Sequence, residues 1–120
     1  MIDIKECCKY AEGWEYLEDH FDIEIHPPHT EEDEEYFTDI GTFMAHYAYK
    51  CFLQSVIEGI NKYFYENNRR YEIIQRNWGI FVSDTEGQTS LGKLQFPFRE
   101  YYSIVEAKES AINYVMEAMR

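Results

Sequence analysis

The sequence predicts an α+β fold in which a long central helix and two further helices pack on a small three-stranded antiparallel sheet. Three observations lead to this prediction. A proline-free stretch from Thr38 to Glu66 repeats apolar residues at helical spacing. Short β-branched or aromatic runs follow, separated by turn residues, between Tyr71 and Phe98. Ser103 and Glu106 then have the spacing of a capping box that opens another helix.

Length and composition indicate one domain over residues 1–120. We divide it into a strongly acidic helix and loop part (1–40), the core helix (41–66), and a β-meander with a C-terminal helix (67–120). The chain is 45% hydrophobic and 18% aromatic, which supplies ample core material and excludes a disordered chain.

The first helix is predicted over residues 3–20. Asp3 followed by Glu6 resembles a capping box, and apolar residues including Cys7 and Ala11 continue at helical spacing. Residues 21–25 then alternate apolar and acidic side chains, which predicts a short half-buried strand. The two prolines in 26–29 stop regular structure, and the acids of 31–35 form a turn before the core helix.

The core helix is predicted over residues 38–66. Around Met44 to Leu53 its apolar residues go most of the way round the helix axis. A helix with so little polar surface is usually covered on two sides by the rest of its domain, so we expect it to be central.

Three strands and a helix should complete the fold. We expect strands at 71–75 and 78–83, separated at Arg76-Asn77, and a third strand around residues 94–98. Pro97 lacks an N–H group, so the third strand should be an edge strand or end there. The last helix should run from Ser103 to Met119.

The charge is distributed very unevenly. The net charge is −12, and residues 1–40 hold 14 Asp or Glu against Lys5 and Lys9. Residues 41–120 hold nine acids and nine Lys or Arg. The whole excess of negative charge therefore lies in the first third of the chain, which is the main functional indication.

The cysteines and the hydropathy pattern indicate a cytoplasmic protein without a cofactor. Three cysteines, two of them adjacent, make a poor disulfide framework and suit a reducing compartment. We expect Cys7 and Cys51 to be small buried hydrophobic residues. The first ten residues carry acids and lack an apolar run, so no secretory leader is expected. No stretch is apolar for the ~18 residues that a membrane span needs.

Catalytic, metal and nucleic-acid sites have weak support. His26 and His29 lie beside the acids 31–35, but spaced cysteine pairs and a calcium-loop pattern are missing, so no metal is expected. His46 and Cys51 diverge on a helix, and no nucleophile motif appears, so we expect no enzyme. The order helix, meander, helix is also that of double-stranded-RNA-binding domains, but Lys108 stands alone where those domains have a lysine cluster.

The acidic third has two interpretations. Charge keeps small proteins soluble, and the acids then have no other role. Alternatively, carboxylates interleaved with aromatic residues form an interface for a basic protein. We choose the second, because acids crowded into 40 residues repel one another. The predicted partner-binding residues are Glu12, Glu15, Glu18, Asp19, Asp22, Glu24, Glu31, Glu32, Asp33, Glu34 and Glu35.

A second hypothesis is a structural or assembly module that self-associates through an aromatic face. Four tyrosines near the edges of the core-helix stripe would form that face, namely Tyr47, Tyr49, Tyr63 and Tyr65. Such a homo-oligomer should survive high salt, whereas a complex between acidic and basic proteins should dissociate.

The C-terminal half resembles small phage-encoded αβ sandwich proteins. The residues that carry this resemblance are the strand containing Trp78–Val82, the Phe96-Pro97-Phe98 strand, and the helix opened by Ser103 and Glu106. Small size and strong acidity are also similar to phage anti-defence proteins, including anti-CRISPR inhibitors and nucleic-acid mimics. The resemblance implies a viral, non-enzymatic inhibitor in the host cytoplasm. It would occupy the nucleic-acid groove of a nuclease or CRISPR effector, or block its assembly.

Overall fold

In a computed structural model of the protein, the structure describes residues 2–11, 40–86, 94–101 and 103–120. Among these residues, two helices, α2 and α3, are longer than one turn, and one three-stranded antiparallel sheet has the order β1-β2-β3. The elements are α1 (Ile4–Cys7), a 3₁₀ turn (Cys8–Tyr10), α2 (Ile40–Glu66), β1 (Tyr71–Arg76), β2 (Gly79–Asp84), β3 (Gln95–Pro97), a second 3₁₀ turn (Phe98–Glu100) and α3 (Ile104–Ala118).

The predicted arrangement of three helices with a long central one is wrong, and only the general α+β class remains. The predicted continuous helix over 3–20 is interrupted, because a 3₁₀ turn follows the single turn α1 and Ala11 is extended, at φ −91° and ψ 97°. Residues 12–20 lie outside the described residues. Helix α2 is not central either. It contacts the sheet mainly at edge strand β1, whereas α3 contacts all three strands.

Helix α2 buries one broad face. Its buried side chains are Tyr49, Phe52, Leu53, Val56, Ile57, Ile60 and Phe64. The helix ends where Asn68 and Arg69 adopt left-handed backbone angles, with φ 71° and 54°. The N–H of Arg69 donates to the carbonyl of Phe64, the bond that closes a Schellman-type helix end. The chain thereby reverses into β1.

The strands are confirmed with small shifts in their bounds. Strand β2 begins at Gly79 rather than Trp78, and Asn77-Trp78 form the turn between β1 and β2. Strand β3 is an edge strand that ends at Pro97, as the missing N–H group predicts. A Cβ on Gly79 would lie 2.5 Å from the carbonyl oxygen of Phe96, so this close approach requires glycine.

The capping box of α3 is confirmed, since the Ser103 hydroxyl accepts from the N–H of Glu106 at 3.3 Å. Its buried face packs on the sheet, where the rings of Tyr114 and Phe96 lie 6.3 Å apart. The buried apolar residues of α3 are Val105, Ala107, Ala111, Ile112, Val115 and Met116.

The predicted strand at 21–25, the stop at 26–29 and the turn at 31–35 lie outside the described residues. Within the part of the chain that the structure describes, no helix combines the length and apolar character that crossing a membrane requires.

Candidate functional site

The predicted partner-binding residues all lie in one segment of the sequence, residues 12–35, which we call the acidic segment. It holds eleven Asp or Glu, and no Lys or Arg occurs between Lys9 and Lys50. These acids are Glu12, Glu15, Glu18, Asp19, Asp22, Glu24, Glu31, Glu32, Asp33, Glu34 and Glu35, and all of them lie outside the described residues. The structure describes the chain up to Ala11, directly before the segment, and again from Ile40.

The residues before the acidic segment are fixed against α2. The backbone of Tyr10 crosses the helix at Gly59, where a Cβ would overlap the Tyr10 carbonyl oxygen. The Tyr10 ring packs edge-on against Tyr63, with centroids 5.7 Å apart. Ala11 is buried at 1% exposure. The acidic segment therefore starts from a rigid attachment point, and the chain rejoins the described fold where α2 begins.

The N-terminal acids that the structure describes are engaged within the fold. Asp3 accepts from the N–H of Glu6 at 3.1 Å, which confirms the predicted cap. Glu6 forms an ion pair with Arg120 at 2.7 Å, which joins the two ends of the described chain. Arg70 likewise pairs with Glu86 at 3.3 Å. Glu6 and Glu86 therefore have basic partners within the fold.

A cleft of about 1140 Å³ lies beside the attachment point, between the 3₁₀ turn and α2. Two lysines and two glutamates line it, so its charges balance and favour neither an anion nor a cation. The lining residues are Lys9, Tyr10, Ser55, Glu58, Gly59, Lys62, Tyr63 and Glu66.

The basic residues do not form one surface. Arg69 and Arg70 precede β1 and Arg76 ends it, so a strand of roughly 20 Å separates them. The guanidinium of Arg69 lies over the Tyr65 ring at 4.3 Å. Lys108 is half-buried and donates to Gln54 at 3.2 Å, and burial lowers the pKa of its ammonium. Neither residue is free to bind a row of phosphates.

The β1–β2 turn carries a groove of about 490 Å³. Trp78 is 47% exposed there, and the N–H of Phe98 donates to the Trp78 carbonyl at 2.9 Å. The lining residues are Asn77, Trp78, Gln95, Pro97, Phe98 and Arg99. No pattern in the sequence pointed to this groove, because turn and strand residues form it only after the sheet has paired.

None of the three cysteines forms a disulfide, and Cys7 is held as a thiol. Burial, with the nearby carboxylates of Glu6 and Asp3, raises the pKa of Cys7 from 9.0 to about 12. At neutral pH such a group is a poor nucleophile, because the thiolate is the reactive form. Cys7 and Cys8 are buried, whereas Cys51 is only half-buried, so the prediction that Cys51 is a core residue is wrong. Among the residues described, no group of three or more His, Cys, Asp or Glu is placed to hold a metal ion.

The predicted aromatic face on α2 is incomplete, because Tyr49 is fully buried. Its hydroxyl donates to the Glu109 carboxyl of α3 at 2.7 Å, and burial together with this bond raises the pKa of Tyr49. Tyr47 and Tyr65 are exposed and lie 18 residues apart, roughly 27 Å along the helix. Tyr63 packs on Tyr10 instead.

The burial of Glu109, the acid of this pair, was not predicted from the sequence. Glu109 follows Val105 by four residues and precedes Ile112 by three, which places it on the apolar stripe of α3. That spacing is the signal that identifies it as a core residue.

Comparisons of the chain with protein-family models, with curated proteins and with solved structures gave no match.

Proposed function

We propose that this protein is a non-enzymatic binding protein that docks on a basic partner protein through its acidic segment. The observation that carries the proposal is the charge pattern, in which eleven acids occur in residues 12–35 without one Lys or Arg. Concentrated like charges raise the free energy of the unbound chain, and a basic surface on a partner relieves the repulsion.

Two features of the fold support this proposal. The acidic segment directly follows a buried residue, Ala11, so it is joined to the folded body at its first residue. The charged residues of the body are balanced, with nine acids and nine Lys or Arg over residues 41–120. Attraction to a basic partner is therefore concentrated at one place.

The class of partner follows from chemistry. Proteins that bind DNA or RNA have basic grooves that fit phosphates, and a carboxylate-rich segment offers similar charge. The proposal therefore includes inhibition of a nuclease or CRISPR effector by nucleic-acid mimicry. We place the encounter in the host cytoplasm, where the three cysteines, none of which forms a disulfide, remain reduced.

The experiment that tests the proposal compares two variants with the same change in net charge. In the first, Glu31, Glu32, Glu34 and Glu35 are changed to Lys. In the matched control, four exposed acids of the body are changed to Lys instead, namely Glu58, Glu66, Glu100 and Glu117. Each tagged protein is incubated with host lysate at low salt, eluted with a salt gradient, and the eluted proteins are identified.

We expect the native chain and the control to retain the same nucleic-acid-binding protein. It should elute as salt shortens the screening length from ~10 Å at 0.1 M to ~3 Å at 1 M, and added DNA should compete with it. The segment variant should retain none, while its circular dichroism stays native. If the segment variant retains that protein as well as the control does, the acidic segment is not the interface.

A further inference from the structure

Both edges of the sheet carry features that disfavour the addition of another strand. At the β1 edge, the Asn61 side chain of α2 accepts from the N–H of Ile73 at 2.7 Å and donates to its carbonyl at 3.0 Å. At the other edge, β3 has three residues and ends in Pro97, which has no N–H to offer. Short strands, prolines and covered backbone groups disfavour edge pairing, so a face of this sheet is better suited to an interface than an edge.

The register separates the two faces of the sheet. Tyr71 contacts Phe64 of α2 and Phe96 contacts Tyr114 of α3, so these strand residues mark the inner face. Residues one position along point the other way. This outer face, by which we mean Glu72, Ile74, Arg76, Phe81 and Gln95, lies on the side of the sheet opposite α2 and α3.

The outer face has an apolar centre between two opposite charges. Ile74 and Phe81 are directly paired across β1 and β2 and are each partly exposed. Exposed Glu72 and Arg76 lie two residues to either side of Ile74, about 7 Å away along the strand. Among the described residues, neither of these charged side chains takes part in an ion pair.

We infer that two copies of this chain dock outer face to outer face. The two-fold axis lies between the two facing sheets and passes over the Ile74–Phe81 pair. It runs parallel to the planes of the sheets and perpendicular to the strands. This rotation reverses β1, so Glu72 of each copy lies opposite Arg76 of the other, and Ile74 meets its own equivalent. A two-fold interface must be self-complementary, and one acid and one base placed symmetrically about an apolar centre satisfy that requirement.

A second copy fits this face better than an acidic or a basic partner. A partner of one sign would be attracted by one of the two charges and repelled by the other. The inference uses none of residues 12–35 and goes beyond the proposed function. A three-stranded face with strands of about 20 Å is small for an interface, so we expect a weak dimer.

The test is sedimentation equilibrium of the full chain between about 10 μM and 1 mM, a range suited to small interfaces. The variants are Glu72→Arg, Arg76→Glu and the double variant that carries both. Each single change places like charges together twice in the dimer, and we expect each to weaken it by about tenfold or more. In the double variant the acidic and the basic position are exchanged, so opposite charges again face each other across the interface. The double variant should therefore regain the native dissociation constant.

Two controls keep the result specific. Glu66→Arg on α2 changes the net charge by the same amount as Glu72→Arg and should not weaken the dimer. Salt screens the attraction between Glu72 and Arg76, but it also screens the repulsion between two chains of charge −12. The native dimer should therefore persist at 0.5 M salt. A native chain that stays monomeric at 1 mM overturns the inference. So does a double variant that dimerises no better than the single ones.

Discussion

At the scale of single residues, a buried polar contact in the core links α2 and α3. The Tyr49 hydroxyl of α2 donates to the Glu109 carboxyl of α3 at 2.7 Å, and Glu109 is 7% exposed. A buried acid costs free energy unless hydrogen bonds compensate it, so this bond offsets part of the cost of placing Glu109 in an apolar interface. It also fixes how the two helices face each other.

Removing the tyrosine hydroxyl should therefore destabilise the fold. We expect Tyr49→Phe to lower the free energy of unfolding by about 1–3 kcal/mol, because the carboxyl loses a donor while the ring still fills its site. Urea unfolding measures this change. Tyr47→Phe is the matched control, since this exposed tyrosine on the same helix should change stability by less than about 0.5 kcal/mol. Equal effects of the two variants would show that the bond contributes nothing.

At the scale of elements, α2 protects the sheet edge as well as filling the core. The amide of Asn61 bonds both backbone groups of Ile73, in the way that a neighbouring strand would. The carbonyl oxygen and the NH₂ group of Asn61 are both needed, because one accepts and the other donates. The helix thereby closes an edge that would otherwise be open to another chain.

This arrangement predicts a graded response to substitution. Asn61→Asp keeps the acceptor for the Ile73 N–H but loses the donor, and Asn61→Ala loses both. We expect Asn61→Ala to cost about 1–3 kcal/mol and Asn61→Asp to leave more amide protection at Ile73 than the alanine variant does. Hydrogen exchange followed by NMR reports this protection directly. Asn67→Ala, at the exposed end of the same helix, should leave exchange at Ile73 unchanged. Native protection in Asn61→Ala would rule out the edge contact.

At the scale of the whole molecule, two buried side chains that can lose a proton, the Cys7 thiol and the Tyr49 hydroxyl, make the free energy of unfolding sensitive to alkaline pH. Burial and nearby carboxylates raise the pKa of Cys7 from 9.0 to about 12, and burial with the Glu109 bond raises the pKa of Tyr49. Both groups ionise more easily when the chain is unfolded. Their contribution to stability is complete below pH 9 and is lost as the pH rises through the folded-state pKa of about 12 for Cys7.

We expect the free energy of unfolding to fall by about 1 kcal/mol between pH 8 and 10, mainly because of Cys7. Cys7→Ala should be less stable than the native chain at pH 7 and should lose clearly less over this interval. Urea unfolding at several pH values gives both curves, and their difference isolates Cys7 from the tyrosines and lysines. If the free energies of unfolding of the native chain and of Cys7→Ala fell equally with pH, the pKa of Cys7 would be the same in the folded and unfolded chains.

The sequence by itself determined the local elements and the distribution of charge. Apolar spacing identifies α2 and α3, the hydroxyl of Ser103 marks the start of α3, and Pro97 marks the end of β3. These features depend on residues only a few positions apart, and such short-range patterns are visible in the chain. The acidic segment is likewise a property of composition.

Only the tertiary structure decided which elements become neighbours. It interrupted the first helix before Ala11, where the backbone crosses α2 at Gly59, and it put Tyr49 against Glu109, 60 residues away. It also separated Arg70 from Arg76 and placed Glu72, Ile74 and Arg76 on one face. Periodicity shows that a side chain is buried but not what buries it. The partner depends on how helices and strands distant in sequence fill one core together.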